Sequence, residues 1–172
     1  MKRIKFLFTC SVMMLAALSA GAQAQDSFTD PNVDYELELP NATWKATVRP
    51  DGVHQHVEFV YGDRMDGHLR VRKEVVKPEE KPADIARRDA DLKLRYIAGY
   101  VAGREERFAG RLSGVTFGYE FTKDGKAMAG RVYYLQADGP TVYTLHFTGM
   151  RDKLQRIRNQ TDLIARSFRL KG

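Results

Sequence analysis

Alternation of large apolar with small or polar residues is strongest between residues 115 and 149. Val115, Phe117, Tyr119 and Phe121 alternate with Thr116, Gly118 and Glu120. A period of two puts the four large side chains on one face of a strand, whereas a helix would scatter them around its circumference. Asp124-Gly125 follows, and both residue types tolerate the positive φ of a tight hairpin. The next run, Arg131 to Gln136, carries large groups on both faces. A strand covered on both sides has this pattern, and so does an aromatic-rich open face. Asp138-Gly139 marks a second turn. Thr141 to Thr148 then places Tyr143, Leu145 and Phe147 on one face and Thr144, His146 and Thr148 on the other. The pattern predicts three consecutive antiparallel strands, on which the flanking elements must pack.

The rest of the chain is patterned around them. Residues 25–33 are short and polar and predict a flexible arm, with Pro31, Asn32 and Asp34 turning the chain. Tyr35 to Leu39 alternates as a strand and stops at Pro40; Trp44 to Val48 is a second strand, its tryptophan a core or sheet-edge anchor. In a third, Val53 to Tyr61, Val57, Phe59 and Tyr61 face one way and His56, Glu58 and Val60 the other. Residues 62–67 predict a polar connection, and His68 to Val76 a fourth strand with Leu69 and Val71 alternating against Arg70, Arg72 and Glu74. A helix is predicted over 83–98: Pro82 suits its first turn, Asp84 its positive end, and Gly99 its C-cap. Ile85, Leu92 and Tyr96 form its apolar face, widened by Leu94 and Ile97. Residues 103–114 predict a charged connection. Arg151 to Phe168 is a closing helix with Leu154, Ile157, Ile164 and Phe168 on one side, supported by Leu163. Helices grouped against antiparallel strands make an α+β fold, a single domain over residues 34–172.

The first 24 residues change the picture of where the protein acts. Lys2, Arg3 and Lys5 precede an apolar stretch over 6–18, and Ala20-Gly21-Ala22-Gln23-Ala24 offers the small residues of a signal-peptidase site, with cleavage after Ala24. The apolar stretch is about 13 residues, short of the roughly 20 a spanning helix needs. The expectation is a bacterial protein, periplasmic or secreted, with no stable membrane insertion after cleavage. Cys10, the sole cysteine, falls in this leader without the small-residue context of a lipid-modified cysteine. The mature chain is then cysteine-free, which excludes disulfides, thiolate metal ligands and a cysteine nucleophile. Loss of the leader also lowers the formal charge from +6 to +3, leaving 25 basic against 22 acidic residues. That balance gives little basis for nucleic-acid binding.

The order of elements resembles the PsbP-like superfamily, which includes the extrinsic PsbP subunit of photosystem II, a yeast Ran-binding import factor and small exported bacterial proteins. The resemblance rests on Tyr35 to Pro40 as an opening strand, Trp44 soon after, and the helix following Pro82. It continues through Gly114 to Phe121, the paired strands from Arg131 to Phe147, and the ending Arg166-Ser167-Phe168. It implies an α-β-α sandwich around an antiparallel sheet of about six or seven strands, with the last aromatic locking the closing helix to the sheet. It implies no activity and no shared set of functional residues, since fold does not fix function.

Candidate chemistry is sparse. No HExxH, phosphate loop, calcium loop or nucleophile elbow is present, and the chain points to no cofactor. His54 and His56 lie two apart on one side of a strand and form a weak metal pair, with Glu58, Asp51 or His68 as a third ligand. His146, with Tyr119, Tyr134 and Tyr143 on the central strands, is the candidate for a ligand or polar site. Arg151, Lys153, Arg156 and Arg158 make a basic stripe on the closing helix, a candidate docking surface for an envelope protein partner. The expected role is a non-enzymatic, exported protein-interaction module. The alternatives are a carrier or sensor of a small apolar ligand in an aromatic-lined cleft, and a hydrolase-type enzyme using His146.

Overall fold

The computed structural model describes residues 26–49, 51 and 56–172. The expected leader, Cys10 and His54 lie outside them. Hairpin chemistry frames the main sheet. Asp124 and Gly125, at φ 51° and 72°, form a two-residue turn between β7 (Ser113–Lys123) and β8 (Lys126–Gln136). Left-handed geometry at both positions matches the twist of the flanking strands. A turn through Gly139, at φ 57°, leads on to β9 (Thr141–Met150). With β3 (Trp44–Val48), β4 (Val57–Tyr61), β5 (Asp63–Val75) and β6 (Val101–Ala109), these strands form a seven-stranded sheet in the order β3-β4-β5-β9-β8-β7-β6. Every pairing in it is antiparallel. A smaller sheet joins β1 (Asp26–Thr29), β2 (Tyr35–Leu39) and β10 (Arg169–Leu170) in the order β1-β2-β10.

Helix α1 (Pro82–Asp89) covers one face of the main sheet; α2 (Arg151–Arg156) and α3 (Arg158–Ser167), together with the small sheet, cover the other. The architecture is the expected α+β, α-β-α arrangement. The period of two divides β8 between the layers. Tyr133 joins the core under α3 and Tyr134 the core under α1, so the doubly apolar run belongs to a strand covered on both sides. Phe168 is fully buried, its ring stacked 4.8 Å from Tyr35 and tilted 5.0 Å from Tyr143. Trp44 is both core and edge anchor: it is buried on the edge strand β3, and its Nε1 donates to Gln160 Oε1 at 2.9 Å.

Five expectations are corrected. Instead of a flexible arm, residues 26–29 form β1, tied to β2 and anchored by buried Phe28. The 62–67 connection reduces to a turn at Gly62, φ 66°, because β5 begins at Asp63 with an irregular register against β4. Most of the 103–114 segment is edge strand β6, whose lack of apolar alternation follows from exposure on both sides of all but Phe108. The 83–98 helix stops early. After Asp89 the backbone widens into a π-helical turn, Ala90–Leu94, closed by Arg95 N–H donating to Ala90 at 3.0 Å. The extra residue rotates the helix face, so Leu94 is buried while Leu92 and Tyr96 are 66% and 76% exposed. The closing helix breaks at Ile157, which leaves helical geometry (φ −99°, ψ 12°) but keeps its side chain in the core, and Leu163 is exposed rather than supporting.

Candidate functional site

Past His68 the side chains of β5 alternate between the two layers. Leu69 and Val71 enter the α3 core, while His68, Arg70, Arg72 and Glu74 lie on the α1 face. Antiparallel register sets Arg70 between Glu58 on β4 and His146 on β9, and Arg72 beside Thr144. Glu58 is only 4% exposed. Its Oε1 accepts from Arg70 Nε at 2.9 Å, and its Oε2 lies 2.9 Å from Arg64 Nη2 and 3.1 Å from His68 Nε2. Burial alone would raise the Glu58 pKa. The hydrogen bonds from His68 and Arg70 and the Arg70 charge outweigh it and hold the carboxyl at about 2. Burial holds the His68 imidazole below its ordinary value, against the opposing pull of Glu58.

Tyr119 reaches this face from β7, two strands from His146. Its ring crosses β8 above Gly130, its direct cross-strand neighbour. A Cβ at Gly130 would fall 2.2 Å from the tyrosine ring, so a glycine is required there. The crossing brings Tyr119 Oη to 2.6 Å from His146 Nε2. Burial raises the phenol pKa, so it stays protonated. Removal from bulk water, with the charges of Arg72 and Arg70 added, holds His146 at about 4. At neutral pH this is an uncharged histidine with one nitrogen already occupied by a phenol. It is a hydrogen-bonding group; among the described residues, its one hydrogen-bond partner is the Tyr119 phenol.

His146 and Thr144 line a cavity of about 330 Å³ between β5, β8 and β9 and the π-helical turn. Arg70 and Arg72 form one wall; Asp89, Lys93, Leu94 and Ile97 form the other. Of the four residues singled out for a ligand site, Tyr119, Tyr134 and His146 share this face. Tyr143 is on the opposite face, in the α3 core, with its hydroxyl donating to Asp34. The three tyrosines are all buried in core clusters, so they do not line a common apolar cleft.

A second concavity, about 370 Å³, lies on the α3 face between β6–β8 and α2–α3. Arg151 and Arg158 are at its rim. The basic stripe divides there. Arg151 pairs with Glu120 at 3.2 Å and Lys153 with Asp66 at 3.1 Å. Arg156 and Arg158 are exposed and, among the described residues, neither has an ion-pair partner. Of the histidine pair, only His56 lies in the described region, just ahead of β4; Glu58 and His68, proposed as further ligands, are bound to each other, and Glu58 also to Arg64 and Arg70. Among the described residues, no three His, Cys, Asp or Glu side chains are grouped to hold a metal. Glu58 and His68 were singled out only as metal ligands; their cluster with Arg64 and Arg70, and Arg72 beside it, were missed, and the signal was the row of charged residues at every second position from His68 to Glu74.

No protein-family model matches the chain, and no curated protein matches it. The fold, however, recurs in solved structures. The Ran-binding protein Mog1p of Saccharomyces cerevisiae superimposes with a TM-score of 0.62 at 11% identity, over 87% of this chain and 96% of its own. Cyanobacterial PsbP from Synechocystis gives 0.57 at 16%, over 96% and 99%. LpqN, involved in cell envelope biogenesis of Mycobacterium tuberculosis, gives 0.54 at 15%, over 86% and 91%. The chain also spans about half, 49%, of a Bacteroides thetaiotaomicron protein. Identities this low show a shared fold. Among the described residues, no helix is long and apolar enough to cross a membrane.

Proposed function

We propose that this protein is an exported, non-enzymatic protein-interaction module of the cell envelope, and that it docks its partner at the groove beside α2 and α3. One observation carries the location: Arg156 and Arg158 stand exposed at the junction of the two helices with no ion-pair partner among the described residues, while Arg151 and Lys153 on the same stripe are neutralised within the chain. An unpaired guanidinium at the rim of a concavity, Arg158, with Arg156 close by in the chain, suits an acidic protein surface, because these charges are not spent on internal partners. The leader at residues 1–24 supports export. The fold supports a binding role: structures that share it include a Ran-binding protein and a protein of envelope biogenesis.

The test is crosslinking in cells that express the tagged full-length protein, followed by affinity capture and mass spectrometry of wild type and the Arg156→Glu/Arg158→Glu double variant. One reproducible envelope protein, captured by wild type and lost with the variant, is the expected result. A partner retained undiminished by the variant would move the contact away from this groove. Capture of no partner would remove the docking function itself.

A further inference from the structure

The cavity on the α1 face has a chemical polarity of its own. Its acids are already paired within the chain: Glu74 is engaged by Arg88, and Asp89 Oδ1 lies 2.6 Å from Lys93 Nζ. Arg70 is committed to Glu58, and Lys73 to Asp34. Arg72 is left over. It lines the cavity, and among the described residues no carboxylate pairs with it.

The histidine adds a donor beside that cation. Tyr119 is buried, and among the described residues His146 Nε2 is the one hydrogen-bond partner of its hydroxyl. A buried phenol with a single basic neighbour donates its O–H hydrogen bond to that neighbour and keeps its proton. This fixes the neutral imidazole with its own proton on Nδ1. Among the described residues Nδ1 has no hydrogen-bond partner, and the ring that carries it lines the cavity. Thr144, the register partner of Arg72, supplies a hydroxyl. One end of the cavity therefore presents a free guanidinium, an imidazole N–H and a hydroxyl. The floor and opposite wall include Val132, Leu94 and Ile97, apolar side chains of which the first two are buried.

We propose that this cavity binds a small organic carboxylate, its oxygens held by Arg72, His146 Nδ1–H and Thr144 and its short apolar chain lying against Val132, Leu94 and Ile97. Guanidinium and carboxylate match as paired planar groups. A volume of about 330 Å³ suits a ligand at the small end of the usual range of binding pockets. The site is on the opposite face of the sheet from the proposed docking groove and stands independently of it.

The experiment titrates the purified protein separately with acetate, hexanoate and inorganic phosphate. It follows the histidine ¹⁵N and ¹H resonances by NMR and the melting temperature, in wild type and in Arg72→Gln. Arg72 is exposed, so the variant keeps the fold, which its unperturbed backbone spectrum checks. Hexanoate should shift the His146 Nδ1 resonance and raise Tm. It should bind about tenfold or more tightly than acetate, from the added buried methylenes. Arg72→Gln should weaken hexanoate by about tenfold or more, the scale of one charge-assisted hydrogen bond. Hexanoate that leaves His146 unshifted, or binds the variant as it binds wild type, would overturn the site. Phosphate or acetate binding as tightly as hexanoate would overturn the assignment to a carboxylate with an apolar chain.

Discussion

Apart from the groove beside α2 and α3, the main sheet is sealed on its α3 face by a continuous aromatic core; on its α1 face the seal stops halfway. Phe168, Tyr35, Tyr143, Phe147, Tyr133 and Phe108 join strands, small sheet and closing helices under the first face. Under the second, α1 buries Ile85 and Ala86 against Phe117, Val132 and Tyr134, and the surface over β4, β5 and β9 is given to charged and polar groups. The physical difference is cover. α1 and its π-helical turn are too short to span the sheet, so side chains beyond them satisfy one another through ion pairs and hydrogen bonds in place of apolar contact. The first face carries the larger aromatic core, and the second sets charged and polar groups around its cavity.

The contrast breaks most directly in the core. Phe168→Ala deletes a fully buried ring packed against Tyr35 and Tyr143, and should cost about 3–5 kcal/mol in urea unfolding. Ile85→Ala removes an equally buried side chain from the half-covered face, where the layer above can collapse toward the cavity, and should cost about 2 kcal/mol. Equal losses would mean that the two faces contribute alike and that the open cavity leaves no trace in stability.

Acid sharpens the same comparison, because Glu58 and His146, both with lowered pKa, are on the α1 face. Glu58 ionises at about 2 in the folded chain against an ordinary 4.5. A carboxylate with a lowered folded pKa contributes stability above its unfolded pKa, and loses it as pH falls from 4.5 toward 2. That contribution is roughly 3 kcal/mol, and Glu58→Gln should remove it together with the pH dependence in that window. His146, held at about 4 against 6.5, acts earlier: the unfolded chain binds its proton first, so stability declines as pH falls from 6.5 toward 4. Unfolding free energies at pH 7, 5 and 3 for wild type, Glu58→Gln and His146→Asn should separate the two windows. A flat profile between pH 6.5 and 4 in wild type would show that His146 is not held neutral by folding.

The central strands were legible on both faces. Residues 115–149 announced their three strands because each side chain's face follows from a period of two, and Phe168 was marked by the helical spacing from Leu154, Ile157 and Ile164. The rest of the α1 face was legible only in part. A helix is read by its period, and the π-helical turn shifts that period within the element, so Leu92 and Tyr96 looked buried when Leu94 is. Edge strand β6 has solvent on both sides and no alternation to betray it. His146 could be placed opposite Phe147, but its contact with Tyr119 depends on a ring crossing an intervening glycine. Glu58, Arg64 and Arg70 meet through strand register, which a single sequence leaves unspecified.

That crossing makes Gly130 the next most sensitive position. Gly130→Ala places a methyl 2.2 Å from the Tyr119 ring and must push it off the strand. The overpacking should cost about 1–3 kcal/mol and break the contact with His146. The cost is readable in urea unfolding, and the broken contact in the histidine resonances. A variant as stable as wild type with His146 unmoved would mean that the ring does not lie over Gly130.

The smallest change tests what the contact does rather than whether it packs. Tyr119→Phe keeps the ring over Gly130 and removes only the hydroxyl that donates to His146 Nε2 at 2.6 Å. The loss should be about 1 kcal/mol, one hydrogen bond, and therefore less than that of Gly130→Ala. Its larger signature is in the imidazole. With no phenol on Nε2 the proton is no longer confined to Nδ1, and the two ring nitrogens should move toward each other in ¹⁵N shift as the tautomers mix. An unchanged Nδ1–H tautomer in Tyr119→Phe would show that the phenol does not set the imidazole proton, and the half-covered face would lose the donor that distinguishes it from a surface of paired charges.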